Sequence, residues 1–472
     1  MATSTHKAEK AGKAEKSGKP GKPGKAGKPS KHTGGKEPGG RPGRLRRAWQ
    51  VLGPGLVTGA SDDDPSGIAT YAQAGAKFRY GLLWTALITL PLMSAVQEIC
   101  DRTALATGRS LGALSRERFR RSARTAIGVL LVALVAANVL NIAADLVAVG
   151  SGMNLLHAGP AWIWALVAGA AITALIVFGA FDLIARVFKV LCLALLSYVV
   201  VLFAAHVPWG TVGLHTIAPH FTWSTDYLTL LIAVLGTTIS PYLFFWQTAD
   251  RVEEMRQEAE KKTGDDNPKP LPERSRAAAE RKQRRARADV FTGMAFSNLV
   301  MFAVITATAA TLGKGPGQDI TSAAQAAQAL KPAAGSAAST IFALGFIGSG
   351  MLAVPVLAGS GSAGLAGLLG KPWGLSKSVR EAPAFYGLLA AGTVGGTLLT
   401  LTAVDPIKLL VLAATVNGIA AAPFLLVVMI IAGNKAIMGE HRNGRLAATL
   451  GWTTFGIMTA AAVAMIVLIF TG

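Results

Sequence analysis

A chain of 472 residues that is 51% hydrophobic and 15% charged, with 53 glycines, has the composition of a helical protein that crosses a membrane many times. Its net charge of +20 would be typical of a nucleic-acid-binding protein if it were spread over a folded surface, but over half of the excess lies near the N-terminus. The composition therefore argues against a nucleic-acid partner. The two cysteines, Cys100 and Cys192, both lie in apolar segments and exclude a disulfide framework and a cysteine metal site.

Residues 1–47 are a basic segment with almost nothing to bury. They repeat Gly-Lys-Pro and Ala-Gly-Lys units and carry 14 Lys and Arg against three Glu. Such a composition cannot offset the entropy lost on folding. We predict a disordered cytoplasmic tail that lies near anionic lipid headgroups.

Eleven apolar stretches follow the tail, each long enough to cross a bilayer at about 20 residues per span. They lie near 48–76, 80–105, 124–150, 160–180, 184–207, 227–248, 289–313, 338–369, 383–403, 405–433 and 446–470. Loops after the even-numbered spans carry most of the remaining Lys and Arg. Because basic loops stay in the cytoplasm, we predict a cytoplasmic N-terminus and an extracytoplasmic C-terminus. Extensive Ala, Gly and Arg usage is typical of a GC-rich bacterium. We therefore predict that the protein lies in a bacterial cell membrane.

One long hydrophilic segment, 250–289, lies between the sixth and seventh spans. Its acidic and basic residues nearly balance, which favours a solvated, partly helical cytoplasmic loop. A regulatory or partner-docking element is the other interpretation of this segment.

The first span contains three consecutive carboxylates, Asp62, Asp63 and Asp64, which are costly inside a bilayer. Pro65 follows them and removes a backbone donor, while Gly67 tolerates non-helical conformations. A helix break within a membrane is tolerated only where it lines a cavity or is buried in protein. We therefore predict a broken helix with free carbonyl groups beside acidic side chains, which is the description of a cation site.

The sixth span is also interrupted near its centre, where polar residues precede Pro241. Broken helices in corresponding positions of two halves indicate a transporter with its site at the membrane midplane. We predict repeat one at about 48–207, an inverted repeat two at about 227–433, and an extra helix at about 446–470.

Three polar residues of the third span, Asn138, Asn141 and Asp145, lie on one helix face. An intramembrane Asp is a functional candidate by default, and Asp145 is our candidate for a proton pathway. A structural hydrogen-bonding role is the alternative for Asp145 and the preferred role of the Asn residues.

The two interrupted spans resemble those of Nramp divalent-metal transporters. Gly-Pro-Gly at 53–55, Asp-Pro-Ser-Gly-Ile-Ala-Thr at 64–70 and Gln-Ala-Gly at 73–75 are similar to the family's first helix. Gly-Thr-Thr-Ile-Ser-Pro-Tyr at 236–242 is similar to its sixth. The resemblance implies an all-α membrane protein with a LeuT-type five-plus-five inverted repeat and one extra helix. It also implies proton-linked uptake of divalent metals, with no resident cofactor.

The resemblance also implies a metal site, with several departures from the family pattern. Asp64 would be a ligand and Thr237 would supply a backbone carbonyl, while Gly67 stands where the family has Asn and Ser240 where it has Met.

Two further positions depart from the family pattern: Tyr242 replaces a His, and Ala148 replaces an acidic residue of the third helix. Asp62, Asp63 and Tyr242 are candidates for further ligands or for the vestibule. An all-oxygen set without a thioether suits Mg²⁺, Mn²⁺ or Ca²⁺.

Three functions stay open at this point. The preferred one is a secondary transporter of a hard divalent cation such as Mg²⁺ or Mn²⁺, working by alternating access with Pro65 and Pro241 as the helix breaks. A cation-coupled transporter of an organic solute on the same fold is the second, and a non-transporting membrane sensor or scaffold is the third. The sequence has no phosphate-binding loop and no Ser/His or Cys/His pair at one membrane depth, which argues against an enzyme. The oligomeric state is left open.

Overall fold

The computed structural model describes residues 54–178, 181–204, 207–219, 221–264, 266–312, 325, 337–401 and 406–471. These residues form helices and connecting turns and contain no β-strand. The predicted tail, residues 1–47, lies outside the described residues.

Sixteen α-helices follow one another in the described part of the chain. They are α1 Pro54–Asp62, α2 Pro65–Phe78, α3 Trp84–Thr107, α4 Leu111–Arg118, α5 Arg121–Leu155, α6 Ala161–Phe178, α7 Phe181–Ala204, α8 Trp209–Ile217, α9 Thr225–Thr238, α10 Pro241–Thr263, α11 Arg276–Leu312, α12 Ala338–Leu369, α13 Pro383–Leu399, α14 Pro406–Ala432, α15 Lys435–Met438 and α16 Arg445–Thr471.

The eleven predicted spans correspond to helices of this list. Seven described stretches, α9 and α10 counting as one, are long and apolar enough to cross a membrane by length and composition. Four predicted spans are not among these seven: α1 and α2 are two halves of one interrupted span, α13 has 17 residues, and α3 carries Glu98, Asp101 and Arg102 in its last third. The fourth is α7, a helix of 24 residues at the position of the fifth predicted span. Helix α11 begins at Arg276, well before the predicted start at 289, because its first turns extend beyond the apolar stretch.

The interrupted helices lie at the centre of the bundle. Helix α11 packs against α1, α2 and α3, while α9 packs against α2 and α14, and α10 against α1, α3 and α12. Helices α5 and α12 pack along each other and flank this group. The two interrupted helices are therefore enclosed by other helices, as non-helical backbone at membrane depth must be.

Helices α1 and α11 approach each other backbone to backbone. A Cβ atom on Gly59 would meet the backbone of Gly293, and one on Gly293 would meet the backbone of Gly55. Small residues at such crossings allow membrane helices to pack closely. This contact sets the position of α1 relative to α11.

We expect Gly59→Ala to lower the free energy of unfolding by about 1–3 kcal/mol, because the added methyl group displaces a helix backbone rather than a flexible side chain. The matched control is Gly456→Ala in α16, where a Cβ meets nothing within 4 Å. That change should be neutral or add up to about 1 kcal/mol through helix propensity. Titration with a denaturing detergent measures both, and equal effects of the two substitutions would contradict the close contact.

The predicted loop at 250–289 is partly helical. Helix α10 continues to Thr263 and a 3₁₀ turn covers Leu271–Glu273 before α11 begins. Lys282 pairs with Glu258 at 2.5 Å, and Lys377 pairs with Asp266 at 2.8 Å. The Lys377 ammonium holds the pKa of Asp266 below its usual value, and because both side chains reach water this pair contributes little to stability.

Candidate metal centre

The first interruption separates α1 from α2 at Asp63 and Asp64. Asp64 has an extended backbone (φ −63°, ψ 167°) and caps α2: its Oδ1 accepts hydrogen bonds from the Gly67 amide at 2.7 Å and the Ser66 hydroxyl at 2.6 Å. Pro65 has no N–H to donate to the carbonyl four residues earlier, which belongs to Ser61. The break therefore leaves the Ser61 carbonyl without its helical partner beside a capping carboxylate.

At the second interruption, a proline again deprives the carbonyl four residues earlier of its helical donor. Helix α9 ends at Thr238 and α10 begins at Pro241, which cannot donate to the carbonyl of Thr237. The Ser240 hydroxyl lies 2.8 Å from this carbonyl and 2.8 Å from that of Gly236. Two of the predicted ligands, Ser240 and the Thr237 carbonyl, are thus adjacent and hydrogen-bonded to each other.

The two interruptions contact each other through tyrosines. The hydroxyl of Tyr242, just after the second break, donates to the Ser61 carbonyl of the first at 3.1 Å. In a second contact, the hydroxyl of Thr237, just before the second break, lies 3.4 Å from the hydroxyl of Tyr71 in α2. The breaks of α1–α2 and α9–α10 therefore face each other and form one site.

Asp62 and Asp63 contact a third helix. Ser297 of α11 lies 3.0 Å from Asp62 Oδ2 and 3.3 Å from Asp63 Oδ1. The other oxygen of each carboxylate, Asp62 Oδ1 and Asp63 Oδ2, is buried and has no hydrogen-bond partner. These two side chains belong to the same buried region as Asp64, but they face α11.

Asp145 is fully buried in α5, and neither of its carboxylate oxygens has a hydrogen-bond partner. Its backbone lies beside the first break, because a Cβ on Gly350 of α12 would lie 2.9 Å from the Asp145 carbonyl and 3.4 Å from the Pro65 ring. The neighbouring Asn residues behave differently: Asn138 donates to the Leu357 carbonyl of α12 at 2.9 Å, and Asn141 lies 3.4 Å from Asn417 of α14.

The site is rich in oxygen atoms and in buried carboxyl groups. Buried carboxylates are ordinarily paired, protonated or bound to a metal, because an isolated buried charge is strongly unfavourable. Among the described residues, no group of three or more His, Cys, Asp or Glu is arranged to hold a metal ion. The groups at the two breaks that could hold a cation are the Asp64 carboxylate and nearby hydroxyl and carbonyl oxygens.

Sequence reasoning missed three participants: Ser61, Tyr71 and Ser297. The Ser61 carbonyl was identifiable, because it lies four residues before Pro65 as Thr237 lies four before Pro241. Tyr71 and Ser297 carry no comparable signal, since only helix packing brings them to the breaks.

One end of the bundle contains a buried charge network centred on Arg251 of α10. Its guanidinium pairs with Asp101 of α3 at 2.5 Å and with Asp289 of α11 at 3.2 Å. Asp289 also accepts a hydrogen bond from the Gly55 amide of α1 at 2.9 Å, and Gln247 donates to Asp101 at 2.7 Å. This network connects the half-helix α1 to three neighbouring helices.

Comparison with known proteins adds independent findings. The family described as Nramp, natural resistance-associated macrophage protein-like, matches residues 55–468. The protein named divalent metal cation transporter MntH of Mycobacterium tuberculosis (strain CDC 1551 / Oshkosh) is 27% identical over 437 residues, which cover 91% of this chain and 94% of that one. The MntH of Verminephrobacter eiseniae is 33% identical over 214 residues, 43% of this chain and 47% of the relative.

Among solved structures, the manganese transporter of Eremococcus coleocola, crystallised with an aromatic bis-isothiourea compound, superposes with a TM-score of 0.68. The match covers 88% of this chain and 87% of that chain at 16% sequence identity. At this identity the likeness shows the fold alone, an all-α membrane protein of LeuT type with about eleven spanning helices, as predicted. Because the family match extends over nearly all of the described chain, this integral membrane protein is a member of the Nramp family.

Proposed function

We propose that this protein is a secondary transporter of divalent metal cations that works by alternating access, with the metal held between the two helix breaks. The observation that carries the proposal is the meeting of the breaks, where the Tyr242 hydroxyl contacts the Ser61 carbonyl. Each break supplies a carbonyl that a proline has deprived of its helical partner, and Asp64 supplies negative charge. Membership of the family and the names of the MntH relatives support the same activity.

The ligands we assign are Asp64, the Thr237 carbonyl and Ser240, with Gly67 lining the site. The Gly67 position has no side chain to reach an ion, and a Cβ there would lie 3.3 Å from the Asp62 carbonyl. All of the available donors are oxygen atoms, and hard cations such as Mg²⁺ and Mn²⁺ prefer oxygen ligands. Space left by the absent side chains suits an ion that keeps part of its water shell.

Release of the hydroxyl groups that cover the two carbonyls is the conformational step that the proposal requires. The Tyr242 hydroxyl donates to the Ser61 carbonyl and the Ser240 hydroxyl to the Thr237 carbonyl, so a cation that takes either carbonyl as ligand competes with a hydroxyl. Rocking of one repeat against the other would then open the site to each side in turn.

The test is divalent-metal flux into proteoliposomes that hold the purified full chain, comparing Mg²⁺, Mn²⁺ and Ca²⁺. We expect uptake of Mg²⁺ or Mn²⁺ that saturates, together with a metal-dependent rise in thermal stability. No flux and no stabilisation by any divalent ion would reject metal transport. Stabilisation by Na⁺ alone would favour the organic-solute transporter, and no response to either would favour a scaffold.

Asp145 is the residue we assign to proton movement, because both of its oxygens lack partners and its backbone lies beside Pro65 at the first break. In the same liposomes, a pH indicator in the lumen should report acidification during metal uptake. We expect Asp145→Asn to reduce acidification more than metal flux, with Asn141→Ala as the control on the same helix face. Metal flux without acidification in the unaltered protein would reject proton linkage and leave metal transport intact.

A further inference from the structure

A cavity of about 780 Å³ lies away from the metal centre, between α3, α11 and the segment that leads into α16. Four arginines line it against two glutamates, so its lining is predominantly positive. The arginines are Arg102, Arg287, Arg442 and Arg445. By the predicted orientation, this cavity faces the cytoplasmic leaflet of the membrane.

Arg102 is the buried cation of this cavity, with its side chain only 5% exposed. One of its terminal nitrogens lies 2.6 Å from Asn443 and 3.3 Å from Glu98, while its Nε has no hydrogen-bond partner. Glu98 also pairs with Arg287 at 2.9 Å, so one carboxylate serves two guanidinium groups. With four guanidinium groups against two carboxylates, one of which already serves two arginines, the lining is short of negative charge and suits an anionic group.

The start of α16 adds further donors. The helix begins at Arg445, and residues 444–447 all line the cavity. The first amides of a helix have no intrahelical acceptor and carry a partial positive charge. Phosphate groups bind readily at such a terminus.

The edge of the cavity is apolar and exposed. Phe291 of α11 and Leu446 of α16 line it and are 55% and 74% exposed, and Pro91 and Leu450 continue the apolar lining. Both α11 and α16 are apolar enough to span a membrane, so we infer that this edge faces acyl chains. A free phosphate would satisfy the arginines but would leave the apolar edge uncovered.

We propose that this cavity is a binding site for an anionic phospholipid of the surrounding membrane, with the phosphate between Arg102, Arg442, Arg445 and the first amides of α16, and the acyl chains along Phe291 and Leu446. Basic pockets between membrane helices on the cytoplasmic side recognise anionic headgroups in this way. The site is independent of the metal centre.

The test is native mass spectrometry of the purified full chain in detergent, titrated with phosphatidylglycerol, with phosphatidylcholine of the same acyl chains, and with glycerol phosphate. We expect a retained phosphatidylglycerol whose affinity falls about tenfold in Arg442→Gln/Arg445→Gln. Both arginines are exposed, so the double variant should fold as the unaltered protein does, and its thermal stability without added lipid checks this.

The matched control is Arg120→Gln/Arg121→Gln, which removes two exposed arginines from the same predicted face but outside the cavity. The basic tail is the same in every variant, so its contribution to lipid binding cancels. Equal loss of phosphatidylglycerol in both double variants would overturn the proposal, as would equal retention of phosphatidylcholine. Binding of glycerol phosphate as tightly as the lipid would show a simple anion site and would also overturn it.

Discussion

Replacing Asp64 by Asn is expected to reduce divalent-metal flux to background while leaving the protein folded. Asp64 has two separable roles, because its Oδ1 caps α2 through the Gly67 amide and its charge belongs to the candidate metal centre. Asn caps a helix about as well as Asp, so the substitution removes the charge and keeps the cap. Asp64→Ala removes both the charge and the cap, so its free energy of unfolding should be about 1 kcal/mol lower than that of Asp64→Asn.

Thermal stability with and without metal distinguishes these roles. A metal at 100 times its dissociation constant stabilises the folded state by about 2.7 kcal/mol, and this increment should be absent from Asp64→Asn. Asp62→Asn is the matched control, since Asp62 contacts Ser297 and should retain the increment. Undiminished flux in Asp64→Asn would reject the ligand assignment without rejecting transport.

Replacing Arg251 by Met is expected to lower the free energy of unfolding by about 3–5 kcal/mol. Met has a comparable length but no charge, so Asp101 and Asp289 would be left buried without their cation. The start of α1 would lose support as well, because Asp289 accepts the Gly55 amide. Titration with a denaturing detergent measures the loss.

Arg109→Met is the control for this prediction. Arg109 pairs with Glu117, and both side chains are 53% exposed, so loss of that pair should change the free energy of unfolding by less than about 1 kcal/mol. The triple variant Arg251→Met/Asp101→Asn/Asp289→Asn should recover part of the stability, because no unpaired buried charge remains. Equal effects of Arg251→Met and Arg109→Met would mean that the network contributes nothing beyond an exposed ion pair.

Sequence alone was sufficient for the features that depend on neighbouring residues. Apolar length predicts spanning helices, and the family resemblance of the two proline-containing stretches is confirmed by the match over residues 55–468. Proline cannot donate to the carbonyl four residues before it, so local spacing alone identifies Ser61 and Thr237 as the residues whose carbonyls lose their helical partner. The site residues themselves stay predictions until flux is measured.

Only the tertiary structure decided which groups meet. The fold brings together residues that lie far apart in the chain: Tyr242 with Ser61, Ser297 with Asp62, and Arg251 with Asp101 and Asp289. Nothing in local spacing specifies these pairs, because they depend on how helices cross, and the crossing of α1 and α11 depends on glycines whose role appears only at the contact. The arginine-lined cavity has the same origin: its arginines come from three segments that converge only when α16 packs beside α3.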